Sequence, residues 1–98
     1  MTRYLFEWDA EKAHSNVQKH GVSFGEAQTV FLDVFANESL DVDHSYEEDR
    51  FMIIGMSEQE RVLVVSFTLR NHETIRIISA REARPRERHS YEEESRNR

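Results

Sequence analysis

The sequence predicts an α+β domain: an antiparallel β-meander preceded by an αα-hairpin and closed by a C-terminal helix. Three observations predict it. R-F-M-I-I-G, R-V-L-V-V-S-F-T-L and T-I-R-I-I-S-A are rich in β-branched and aromatic residues, and only the turn-forming S-E-Q-E and R-N-H-E separate them. Connections that short permit only antiparallel neighbours. Two helix-patterned stretches meet at Gly21 ahead of these runs, and a proline-headed, charge-rich stretch follows them. The 98 residues make a single domain, 1–98, with no linker, repeat or low-complexity tract.

Tyr4, Phe6 and Trp8 alternate with Leu5 and Glu7, the pattern of a short first strand. Asp9 is a good N-cap for the helix A-E-K-A-H-S-N-V-Q-K-H, and Gly21 supplies the left-handed residue that stops it. Ala13 and Val17, at i and i+4, are its expected core contacts, with Asn16 and His20 flanking that stripe. Ser23 and Glu26 then form a predicted capping box, with Val22 placed to staple against Ala27. Phe24, Ala27, Val30 and Phe31 give the second helix its apolar stripe. V-F-A-N-E-S-L is expected to be a strand, and D-V-D-H-S-Y-E-E-D a polar, acidic loop. After the three strong strands, Pro85 suits the first turn of a terminal helix, since its missing N–H would have no intrahelical partner there.

Composition narrows the function. With 38% apolar and 33% charged residues, the domain has a small core and much polar surface. The absence of cysteine excludes disulfides, thiolate zinc sites and a cysteine nucleophile. No apolar run approaches the ~20 residues of a membrane span, and the first residues lack a signal-peptide centre, so a cytoplasmic protein is expected. The net charge of −6 hides an asymmetry. Residues 1–75 carry six Lys/Arg against fourteen Asp/Glu, and residues 76–98 carry seven against five. An acidic whole argues against general coating of nucleic acid, while a local phosphate pocket stays open.

Five arginines, Arg76, Arg81, Arg84, Arg86 and Arg88, fall in thirteen positions. In the last strand Ile75 and Ile77 are expected on one face, with Arg76, Ile78 and Ala80 on the other. Arg76 is therefore either half of a cross-sheet salt bridge or a phosphate ligand. Arg81 ends the strand beside Ser79. Arg84, Arg88 and Tyr91 share one helix face, which is either a solvated surface or a grip built from guanidinium donors and a stacking ring. Lys19 and His20 sit in the last turn of the first helix, where cations also serve as ordinary caps. Lys12, in the first turn, is mildly misplaced for a cap. The cluster Asp41, Asp43, His44, Glu47, Glu48 and Asp49 lacks the glycine and spacing of a calcium loop. No glycine-rich phosphate loop or nucleophile elbow is present.

F-E-W-D, N-V-Q-K-H-G-V-S-F-G-E-A, H-S-Y-E-E-D-R-F-M-I-I-G-M-S and R-I-I-S-A-R-E-A-R-P-R-E-R-H-S-Y-E resemble, in this order and over nearly the whole chain, the BrnT family of type II toxins. The resemblance implies a RelE-like fold and a ribonuclease that stops growth by cutting RNA. It also implies a cognate, BrnA-like antitoxin that binds operator DNA, so that DNA is met only through the complex. No metal or organic cofactor is implied. Such cleavage needs a base for the 2′-OH, cations for the charged phosphorane and a donor to the leaving 5′-oxygen. His20 is the candidate base or acid, with Arg81 and Tyr91 completing the catalytic set. Lys19, Arg76 and Arg88 are candidates for holding the substrate. For these to cooperate, the end of the first helix and the last helix must meet over the end of the last strand. Two other readings stay open: a weakly or non-catalytic antitoxin-binding or autoregulatory module, and a metal-assisted hydrolase built on the 41–49 loop.

Overall fold

A computed structural model describes residues 4–46 and 48–97. Its elements are β1 (Leu5–Glu7), α1 (Ala10–His20), α2 (Phe24–Thr29), β2 (Asn37–Leu40), β3 (Phe51–Met56), β4 (Val62–Arg70), β5 (Thr74–Glu82) and α3 (Pro85–Arg96). Short 3-10 turns follow α2, at Val30–Leu32, and β2, at Val42–His44. The five strands form one sheet in the order β1-β5-β4-β3-β2. The expected meander is present as the antiparallel run β2 to β5. β1 lies parallel to β5, with Leu5 opposite Thr74 and Glu7 opposite Arg76.

The inner face of the sheet carries Ile53, Leu63, Val65, Phe67, Ile75 and Ile77, packed under Val22, Phe24, Ala27 and Val30 from the α1–α2 bend, α2 and the turn after it. Edge-to-face aromatic contacts continue this layer, Phe31 standing 5.2 Å from Phe6 and 5.1 Å from Phe67 between ring centres. α3 borders the opposite face, where Tyr91 stands over Met52, Ile54 and Val64. α1 and α2 each pack on β5 rather than chiefly on one another. In place of the expected αα-hairpin, two short helices joined at Gly21 are each anchored to the sheet.

Local signals act largely as expected. Asp9 accepts the amides of Glu11 and Lys12 at 2.8 and 3.0 Å, and Gly21 ends α1 at φ 67°. Ser23 Oγ accepts the Glu26 amide at 3.0 Å. The second half of that capping box differs. Glu26 turns inward, where it accepts from Ser57 Oγ at 2.6 Å and from Arg61 Nε at 3.0 Å. Val17 is also not a core contact: it is 47% exposed, and the buried residue of α1 is Asn16, at 5%. The strand expected from Val34 begins at Asn37.

A register shift between Ser66 and Phe67 on β4 inserts one extra residue, Ile78, into β5. Simple alternation placed Ala80 beside Arg76. The bulge reverses that parity, so Ala80 faces the core with Ile75 and Ile77. Arg81 is thereby turned to the outer face, opposite Val64.

Candidate nucleic-acid cleft

β1 ends at Glu7, opposite Arg76, so beyond that point the edge of β5 turned away from β4 has no strand beside it among the described residues. α1 runs along this vacancy. Lys12, Ser15, Asn16 and Lys19 recur at helical spacing, and with His20 they face Ile78 and Ser79 across a depression of about 390 Å³. Asp9 and Glu11 complete its rim. The Asp9 carboxylate is held below its ordinary pKa chiefly by the Lys12 amide, against some desolvation.

Asn16 closes the floor. Its carboxamide donates to the Ala80 carbonyl at 2.8 Å, accepts the Ala80 amide at 3.1 Å, and donates to the Val22 carbonyl at 2.9 Å. A single side chain thus fills the place of a neighbouring strand at Ala80 and also holds the bend after Gly21. The Gly21 carbonyl is held in turn by Arg61, which donates to it at 3.1 Å.

The cations of this chain divide by partner. Arg61 is engaged by Glu26 and Glu82, Arg76 by Glu7 at 2.7 Å, and Arg81 by both carboxylate oxygens of Glu87 at 2.8 and 3.0 Å. Glu87 also accepts the Arg84 amide at 2.8 Å, and its pKa is drawn down to about 2, first by Arg81. Among the described residues, Lys12, Lys19 and His20 make no side-chain hydrogen bond or ion pair. In an acidic chain, two unpaired lysines beside a histidine around one hollow suit an anionic ligand.

The residues singled out from the sequence therefore fall in different places. Lys19 and His20 share the cleft. Arg76 forms the cross-strand salt bridge that was one of its two readings. Arg81 and Tyr91 lie on the outer face, Tyr91 being 6% exposed with its hydroxyl donating to Asp33. Burial, and then the Asp33 carboxylate, push the Tyr91 pKa up to about 12, so the phenol keeps its proton. Arg88 borders a separate depression with Glu60, Glu82 and Glu92. His20 borders the hollow beside α1, whereas Arg81 is bound to Glu87 of α3 and is not among the residues that line that hollow. Lys12, Ser15 and Ser79 are cleft residues that sequence reasoning left aside or noted in passing. The 12, 15/16, 19/20 spacing was the available signal.

In the acidic loop, Asp41 pairs with His44 at 2.9 Å, and Glu47 lies outside the described residues. Among the described residues no three His, Asp or Glu side chains converge as metal ligands. No helix among them is long and apolar enough to cross a membrane.

Comparison with known proteins gives a consistent result. Residues 8–87 match the family described as the ribonuclease toxin, BrnT, of type II toxin–antitoxin systems. The crystal structure of the Brucella abortus ribonuclease toxin BrnT is similar in fold, with a TM-score of 0.62 and 24% identity over 86% of this chain and 99% of that one. Among curated proteins none matches.

Proposed function

Because the chain belongs to the BrnT family of ribonuclease toxins of type II toxin–antitoxin systems, we propose that it cuts RNA in the cleft between α1 and the free edge of β5, without a metal. Membership makes it an endoribonuclease toxin and implies a protein antitoxin as its partner. The observation that carries the site is the gathering of Lys12, Lys19 and His20, unpaired among the described residues, around one hollow.

In this reading His20 takes the proton of a ribose 2′-OH as its oxygen bonds to phosphorus. The P–O5′ bond breaks, leaving a 2′,3′-cyclic phosphate and a 5′-oxygen that takes a proton from solvent. Lys12 and Lys19 offset the charge that builds on the phosphorane, and the Ser15 and Ser79 hydroxyls offer hydrogen bonds to its oxygens. Arg81 meets phosphate only by exchanging Glu87 for it. Tyr91 holds α3 in place, and Arg76 and Arg88 stay outside the cleft, Arg76 paired with Glu7 and Arg88 beside a separate depression. The cognate, BrnA-like antitoxin covers the cleft with acidic residues and carries the DNA-binding domain, so that operator DNA is met only through the complex. The reaction takes place in the cytoplasm, where its substrate is.

Incubating the purified chain with single-stranded RNA and EDTA tests the proposal. Cleavage to cyclic-phosphate ends is expected, with loss of about 10²-fold or more in His20→Ala. Cleavage that needs a divalent ion, or that survives His20→Ala, would overturn it. Glu87→Gln separates the two roles open to Arg81: a lower KM marks a released phosphate ligand, and an unchanged KM with a lower melting point marks a structural tie.

A further inference from the structure

We infer that Asn16 is a positioning residue for the cleft reaction, setting the distance between the helix face that bears Lys12 and His20 and the strand edge that bears Ser79. The inference rests on the cleft reading and adds to it the device that makes the cleft.

Lys12, Asn16 and His20 stand at i−4, i and i+4, one row on the surface of α1. Whatever fixes Asn16 therefore fixes the residues one turn to either side. What fixes it is directional. The carboxamide pairs with both the N–H and the C=O of Ala80, as a residue of an added antiparallel strand would, and its remaining donor meets the Val22 carbonyl. Only one of its four hydrogen-bonding sites is left over. Apolar packing under α1 is thin, with Val17 exposed and Ala13 half-buried. Apolar contact is also non-directional, so it would let the helix slide along the sheet. A hydrogen-bonded amide pair does not.

An apolar residue at this position would bury more surface but would leave the Ala80 and Val22 groups without partners. The Ala80 pair lies one residue from Ser79 in the chain, and the Val22 bond lies two residues past His20. Both walls of the cleft are thus tied to the same side chain. A shift of about 1 Å in a reacting group lowers rate by as much as ~10²-fold while leaving charge-based binding nearly intact.

The test uses the full chain on single-stranded RNA, below the melting point of every variant as checked by circular dichroism. Asn16→Ala is expected to lower kcat by about tenfold or more, with KM within about twofold, because Lys12 and Lys19 still attract RNA. Exchange of the Ala80 amide should quicken in the same variant. Asn16→Asp keeps the acceptor and loses the donors, so protonating the new carboxyl restores one of them. Its kcat relative to wild type should rise as pH falls from about 8 to about 5. Faster Ala80 exchange with wild-type kcat, or an Asp variant whose relative kcat does not change with pH, would overturn the positioning role while leaving the cleft reading intact. Cleavage that survives His20→Ala would overturn both.

Discussion

Arg61→Met should be among the most damaging single changes outside the hydrophobic core. Glu26 is 4% exposed, and its carboxylate is held by Arg61 through two nitrogens and by Ser57. The same guanidinium reaches Glu82 at 3.0 Å and the Gly21 carbonyl at 3.1 Å. Methionine has a similar stem and no donors, so the variant leaves a buried carboxylate with one hydroxyl partner. Removing one member of a buried ion pair costs about 3–5 kcal/mol. The Arg61 side chain is 30% exposed, so water can partly replace it, and about 2–3 kcal/mol is the appropriate range. For a domain of this size that lowers the melting temperature by roughly 10–20 °C. The pH dependence gives a second readout. In the wild type, Arg61 holds the Glu26 pKa below its ordinary 4.5, so the pair's contribution is present above that value and fades as pH falls through the folded pKa. In the variant, burial raises the Glu26 pKa, opposed only by the weaker pull of the Ser57 hydrogen bond. The penalty is then largest at neutral pH and shrinks on acidification toward about 4.5. Thermal melts of both proteins between about pH 7 and 4.5 should show the gap closing. A melting temperature within about 2 °C of wild type at neutral pH, or a gap that stays constant, would refute the reasoning.

Stability should fall on acidification below about pH 4.5 and go on falling toward about 2, because Glu26, Asp33 and Glu87 all have folded-state pKa values below their ordinary ones, that of Glu87 at about 2. For Asp33 burial acts the other way, but the Met56 amide, the Tyr91 hydroxyl and the Phe35 amide outweigh it. Urea titrations across that range measure the effect, and a flat profile would contradict it. Gly55→Ala would bring a methyl group to 2.9 Å from Ala36 Cβ, 3.0 Å from Val30 Cγ1 and 3.1 Å from Asp33 Oδ2. The crowding should cost about 1–3 kcal/mol, read as a lower urea midpoint. Tyr91→Phe removes the hydroxyl that donates to Asp33 and should cost about 1–2 kcal/mol in the same assay, with the helical circular-dichroism signal retained.

The sequence by itself determined the meander, the helix limits at Asp9 and Gly21, the Ser23 cap and the proline-headed last helix, because each depends on neighbours a few residues away. It also carried the K-H-G-V-S-F-G-E-A and R-I-I-S-A-R-E-A blocks, through which the family could be read. Only the tertiary structure decided which charged residues are spent on one another. Arg81 and Glu87 are six residues apart, Arg61 and Glu26 thirty-five, and Arg76 and Glu7 sixty-nine. Ion-pair choice depends on distances across the sheet, and residue type is silent about those. The bulge at Ile78 is the same kind of fact: one unpaired residue reverses the face of every later side chain on β5, and so sets Ala80 in the core and Arg81 opposite Val64. Asn16 read from the sequence as a flank of an apolar stripe. It became the tie between α1 and β5 because β1 is too short to cover Ala80, a shortage that exists only once the strands are laid side by side.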